Sequence, residues 1–346
     1  MNRNWTAAGL KARLATLQEG TAYRTYLSVR DRVLAMTERE ADRPVSIQTP
    51  SEYWAEELRG FEYMLDASPL VVETLRQHTI HLTGLRTYDY RSNKDRQRQR
   101  FAQKLATLRQ KDVPGLFIPE WPGLGGFGFE IDGALVNLDT LKFYEVLIAL
   151  EHGAVLDEFR RTNERKIVWE IGAGWGGFPY QFKTTCPNTT YVIVDLPEVF
   201  LFSATYLKTV FPDARVRWCG DVDDARLFED WEQFDFILIP NTALRDAMRP
   251  PRLDLTINMV SFQEMTAAQV DDYARVAHEA GCPFLYSLNR ERSGYNTEIE
   301  SVRAILERYY RPTIVNLLPV SYQKMLDEEP SPTDYTHIVG WRRMLA

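Results

Sequence analysis

One stretch of the chain leaves little choice of fold. Lys166-Ile-Val-Trp169 is an apolar, β-branched run that breaks into Glu170-Ile-Gly-Ala-Gly-Trp-Gly-Gly177 and is followed by a helix-compatible segment. A second apolar run, Tyr191-Val-Ile-Val-Asp195, then stops on a carboxylate. Strand, glycine turn, helix, strand and acid in that order form the signature of a nucleotide-type cofactor cleft. Gly172, Gly174 and Gly176 let the backbone take positive φ and lie against a ligand where a Cβ would collide. Asp195, at the carboxyl end of the second strand with Leu196 beside it, is placed to accept the two ribose hydroxyls of an adenosine.

Glu170 bears on which adenosine cofactor this is. The turn satisfies GxGxxG, so a dinucleotide is formally open. A diphosphate on a helix N-terminus needs donors and positive potential, however, and a carboxylate two residues before the first glycine opposes both. S-adenosylmethionine carries a sulfonium and an ammonium and no phosphate, and an acid near its amino-acid end is favourable. The expected cofactor is therefore S-adenosylmethionine.

A net charge of −7 over 346 residues argues against a chain that lives on nucleic acid by bulk electrostatics. Cys186, Cys219 and Cys282 are scattered and lack CxxC spacing, which disfavours a disulfide scaffold or zinc site and suits a reducing cytoplasm. No signal peptide or run long enough to span a membrane is evident.

Helical spacing of Leu10, Leu14, Leu17 and of Tyr26, Val29, Val33 predicts helices up to Arg43-Pro44. Thr49-Pro50-Ser51 offers a cap for a helix from Glu52, and another helix is expected near 69–76. The basic run 91–100 reads as a solvated helix face leading into Phe101, Leu105 and Leu108. Residues 113–133 form a turn-rich aromatic segment, after which Asn137 caps a helix. From Lys166 onward strands and helices alternate, implying a parallel sheet. Strands are expected at 192–195, 234–240, 253–258 and 284–288, with a short one at 215–218, and helices at 266–280 and 297–310. Thr313–Leu318 and Thr336–Trp341 should close the sheet as an antiparallel pair. The fold expected is thus α/β: a Rossmann-like sheet with a terminal antiparallel hairpin in a catalytic domain, 136–346. It follows a mostly helical region, 1–135, that serves as an accessory, lid or dimerisation element.

Ligands of such a sheet lie outside the carboxyl ends of its strands. These ends supply Glu170 with the turn, Asp195, Asn241 for the adenine edge with Asp221 as its rival, Asn258 under the sulfonium, and Ser261, Gln263, Asn289 and Arg290 toward a substrate. Methyl transfer to oxygen needs alignment and removal of a proton. Glu264 is the first candidate base, with His337 and His152 behind it. Each has a structural alternative: a helix N-terminal charge for Glu264, and a packed side chain for the histidines. No metal is expected, since the acidic pairs Asp271-Asp272 and Asp223-Asp224 lie on a helix and in a loop.

The chain resembles the bacterial sugar O-methyltransferases. The resemblance is carried by Trp169-Glu-Ile-Gly-Ala-Gly-Trp-Gly-Gly177, by Thr190-Tyr-Val-Ile-Val-Asp-Leu-Pro-Glu198 and by Asn258-Met-Val-Ser-Phe-Gln-Glu-Met265, with a looser match at Val136–Leu141. It implies a class I Rossmann-like methyltransferase acting on a hydroxyl of a sugar or glycosylated small molecule. Another small-molecule O or N acceptor, a nicotinamide-dependent oxidoreductase and a non-catalytic methyltransferase-like scaffold are the competing possibilities. A homodimer is compatible with each.

Overall fold

In a computed structural model, residues 6–43, 47–49, 52–112, 115–291, 299 and 301–344 are described. The chain opens with six helices: α1 (Ala7–Gln18), α2 (Thr21–Ala41), α3 (Glu52–Gly60), α4 (Pro69–Glu73), α5 (Ile80–Thr83) and α6 (Asp95–Arg109). The apolar stripe read for α2 is its buried face: Tyr26, Val29, Val33 and Met36 all point inward. Pro44 and the Pro50-Ser51 part of the cap expected before α3 lie outside the described residues.

The aromatic segment hides a short hairpin, β1 (Phe129–Ile131) against β2 (Ala134–Val136). Its connection is Asp132-Gly133, both at positive φ (51° and 76°). Asp-Gly at those angles is the favoured two-residue hairpin turn, a signal that lies in the sequence among neighbouring glycines. Helix α7 (Leu138–His152) then starts as expected, its N-cap Asn137 sharing a reciprocal capping box with Thr140.

The main sheet has eight strands: β3 (Lys166–Ile171), β4 (Thr189–Asp195), β5 (Val216–Trp218), β6 (Phe236–Pro240), β7 (Leu255–Met259), β8 (Phe284–Asn289), β9 (Tyr310–Ile314) and β10 (Thr336–Arg342). They lie in the order β5-β6-β4-β3-β7-β8-β10-β9. The first six run parallel, and β10 is antiparallel to both neighbours. Between the strands run α8 (Val155–Arg161, before β3), α9 (Gly177–Thr185), α10 (Phe200–Val210), α11 (Leu244–Ala247), α12 (Ala267–Glu279) and α13 (Val302–Leu306). The strand order reverses at β3: the chain steps outward to β4, then returns to place β7 on the opposite side. That reversal opens a crevice at the carboxyl end of β3.

The fold differs from expectation near its end. Within the span 297–310, where a helix was expected, Val302–Leu306 is the helical part among the described residues, and Tyr310 already starts β9. Residues 292–298 and 300 lie outside the described set, including most of the expected loop 289–296. β9 contains Pro312, which an edge strand tolerates because the missing N–H faces no partner.

The N-terminal helices share one continuous apolar core with the sheet. A buried cation ties them together. Lys104 of α6 is 0% exposed; its Nζ donates to the carbonyls of Ser321, Tyr322 and Lys324 and lies 3.0 Å from Glu145 of α7. Removing one partner of such a pair leaves a buried charge uncompensated. Lys104→Met should therefore lower unfolding free energy by about 3–5 kcal/mol in urea titrations, far beyond a surface lysine.

Candidate active site

The turn after β3 is built as its glycines require. Gly172, Gly174 and Gly176 have φ of 74°, 57° and 87°. A Cβ on Gly172 would lie 2.5 Å from Ser261 Oγ, so this glycine lets the loop after β7 close against the turn. At Gly174 a Cβ would meet no atom within 4 Å, so the backbone there borders open space. Asp195, at the end of β4, reaches back to the turn: one oxygen accepts the Gly174 N–H at 3.0 Å and the other the Leu196 N–H at 2.8 Å. Burial pushes its carboxyl up to about 7, against the lowering effect of those backbone donors. Leu196 itself is buried.

Glu170 is not at the mouth of the turn. It is 1% exposed, in the interior of the sheet, where Tyr191 Oη donates to its carboxyl at 2.8 Å. The register explains the contact: Tyr191 lies opposite Val168, and Val168 and Glu170 share a sheet face. Burial raises the Glu170 carboxyl to about 8, so at neutral pH it is largely uncharged. Contrary to the expectation from sequence, Glu170 therefore presents no negative charge at the turn to favour a cationic ligand. The better discriminator is Asp195, which occupies turn amides that a diphosphate would need.

A second set of groups braces the turn and was missed in the sequence. Trp175 donates its indole N–H to Asp139 of α7 at 3.1 Å. Arg76, 1% exposed, lies 3.8 Å from the Trp175 ring centre and donates to Asp139 at 2.7 Å, Glu120 at 2.8 Å and Thr79 at 2.7 Å. Lys142, one turn along α7, is 3.0 Å from the other Asp139 oxygen. Burial by itself would raise the Asp139 carboxyl; Lys142 and Arg76 hold it below the usual range. Asn137 closes the set by donating to Glu120 at 2.7 Å. Trp175 was in plain view within the turn, but no local pattern connects it to residue 76.

At the other end of the crevice, β6 and not β5 lies beside β4, which puts Asn241 next to Asp195 in the sheet order. Asn241 is buried; its Nδ2 donates to the Gln48 carbonyl at 2.5 Å, and its Oδ1 has no hydrogen-bond partner among the described residues. Asp221 instead accepts the Trp218 N–H at 3.0 Å and pairs with Arg32.

Several residues expected to face ligands are engaged within the protein. Asn258 donates to Ile171 O and Ser261 Oγ and accepts from Phe262 N and Asn289 Nδ2, so all four of its hydrogen-bonding positions are filled. Asn289 also donates to Ser287, and Gln263 joins the Tyr335 hydroxyl to the Arg290 N–H. Ser261 donates to Ile171 O. These side chains lock the ends of β3, β7 and β8 together. Arg290 differs: its guanidinium stacks 4.7 Å over Tyr335, and among the described residues its side-chain hydrogen bond is to the neutral Gln323, at 2.8 Å.

Of the three candidate bases, Glu264 lies at this edge, and its carboxyl makes no hydrogen bond or ion pair among the described residues. It follows β7 through Val260, a β-branched residue held at φ 68°, a strained conformation typical of functional loops. Half-buried, with Glu57 of α3 nearby, its carboxyl is pushed up to about 8, chiefly by burial. His337 is packed, not poised: Tyr286 Oη is 2.7 Å from Nδ1 and Glu145 is 3.3 Å from Nε2. His152 is exposed at the last residue of α7, its ring 3.0 Å from the Lys111 carbonyl. Asp139 meets Trp175 at the first turn of that helix, about 20 Å away by helix rise.

The raised Glu170 carboxyl has a stability consequence. Between the unfolded value near 4.5 and the folded value of about 8, only the folded state keeps this proton. Stability should therefore fall as pH rises through that window. Thermal melts of Glu170→Gln, which keeps a partner for Tyr191, should show a flatter decline than the parent between about pH 5 and 8.

No protein-family model and no curated protein sequence matches this chain. Solved structures do match, at low similarity. The pyocyanin biosynthetic protein PhzM is 14% identical with a TM-score of 0.34, the match covering 58% of each chain. N-methyltransferase NodS from Bradyrhizobium japonicum WM9, solved in complex with S-adenosyl-L-homocysteine, is 12% identical with a TM-score of 0.35 over 58% of this chain and 87% of that one. An O-methyltransferase family protein from Burkholderia thailandensis is 13% identical with a TM-score of 0.34 over 59% of each. Methyltransferases thus stand among the structures this α/β chain is similar to.

Proposed function

We propose that this chain is an S-adenosylmethionine-dependent O-methyltransferase whose acceptor is a small-molecule hydroxyl, with a sugar or glycoside as the class to test first. The observation that carries the proposal is the turn itself: open space over Gly174 beside an Asp195 that already occupies turn amides. A diphosphate finds too few donors there, whereas an adenosine without phosphates asks only for the remaining acceptor sites of Asp195. The unpartnered, buried Asn241 Oδ1 suits the amino group of an adenine, since a buried acceptor left unpaired costs free energy that a donor recovers. The cofactor would supply the electrophilic methyl group. The protein aligns the acceptor, excludes water and takes up the hydroxyl proton at Glu264.

The preference for a sugar rests on the sequence resemblance, and Arg290 with the Tyr335 ring offers a polar, aromatic rim that suits one. Residues 1–135 are read as part of the site's wall, because Arg76 reaches the turn from that region. The cytoplasm as location and a homodimer belong to the same proposal.

Calorimetry should detect S-adenosylhomocysteine and not NADH; the reverse result would sink the cofactor assignment. Gly174→Ala places a methyl group in the open space at a backbone cost of about 1 kcal/mol. It should stay folded and lose cofactor binding. With an acceptor in hand, turnover should rise with pH through about 8 as Glu264 ionises. Glu264→Gln should lower kcat by about 100-fold or more with little change in cofactor affinity, and parental turnover in that variant would remove Glu264 from the role.

A further inference from the structure

We infer that Lys142 binds the carboxylate of the cofactor's amino-acid end. This rests on the cofactor proposed above and extends it to a residue of α7 that none of the sequence motifs assigns. An amino-acid tail carries a cation and an anion, and the other cation placed at the turn, Arg76, is already committed to Glu120, Thr79 and Asp139.

Two independent contacts put Lys142 beside the turn. Its Nζ is 3.0 Å from Asp139, whose other oxygen holds the Trp175 indole N–H. Its chain neighbour Phe143 packs against the Trp175 ring, centroids 6.1 Å apart. The Lys142 ammonium also lies 4.8 Å from the Phe143 ring and 5.5 Å from that of Tyr322. Its side chain is 13% exposed, so the charge is withdrawn from bulk water yet reachable.

Asp139 does not need this lysine as its only counter-ion. Arg76 already donates to it at 2.7 Å from a fully buried position. Arg76 is committed to three partners, Glu120, Thr79 and Asp139. Lys142 has three donors, and among the described residues only one meets a protein acceptor. A half-buried ammonium with two open donors, at the edge of a cofactor turn, is completed by an anion. The sulfonium and ammonium of the cofactor would be repelled there, which leaves its carboxylate.

The test uses S-adenosylhomocysteine and its decarboxylated analogue, S-(5′-adenosyl)-3-thiopropylamine, titrated calorimetrically into the 346-residue chain. The parent should prefer the carboxylate-bearing ligand by about 10- to 100-fold, the range of a charge-assisted hydrogen bond. Lys142→Met should bind both ligands alike, near the parent's affinity for the analogue, and Lys142→Arg should restore most of the preference. A Lys142→Met protein that keeps the parental preference overturns the inference. So does one that loses both ligands equally, since Lys142 would then act only through the fold. A parent that binds neither ligand overturns the cofactor proposal itself and this assignment with it.

Discussion

The arrangement depends on one buried guanidinium. Arg76 lies against the Trp175 ring and is anchored by Glu120 and Asp139, all three almost fully out of water. A buried cation is tolerated only when its donors are met and its charge balanced. Because those partners come from the segment after residue 115, from α7 and from the glycine turn, the requirement pulls three parts of the chain to one point. The turn's conformation is therefore held by residues that precede it by up to a hundred positions.

Polar groups at the carboxyl edge of the sheet divide into two kinds. Asn258, Asn289, Gln263 and Ser261 spend their hydrogen bonds on one another and on backbone, and so fix the loops after β7 and β8. Among the described residues, Glu264, Arg290, Lys142 and Asn241 retain unfilled donor or acceptor capacity. A site needs both kinds, since groups left free for a ligand are useful only if their neighbours hold them still. The strained φ of Val260 falls at the junction of the two sets.

The titrating carboxyls follow the same logic of burial. Glu170 sits inside the sheet with a single tyrosine donor and is raised; Asp139 is just as buried but lies between two cations and is lowered. Two equally buried carboxyls thus differ in charge at neutral pH because their neighbours differ.

The sequence by itself determined the sheet, the glycine turn, Asp195 and the terminal hairpin. Strand periodicity, positive-φ glycines and a strand-ending acid are local properties that survive without knowledge of the rest of the chain. Even the missed hairpin was local, written in Asp132-Gly133. Tertiary structure alone decided that Glu170 is sealed under Tyr191, that His337 packs between Tyr286 and Glu145 while His152 lies at the far end of α7, and that Arg76, Asp139 and Lys142 gather at Trp175. Burial and charge pairing are sums over neighbours far apart in the chain, and no short pattern encodes which of them will meet.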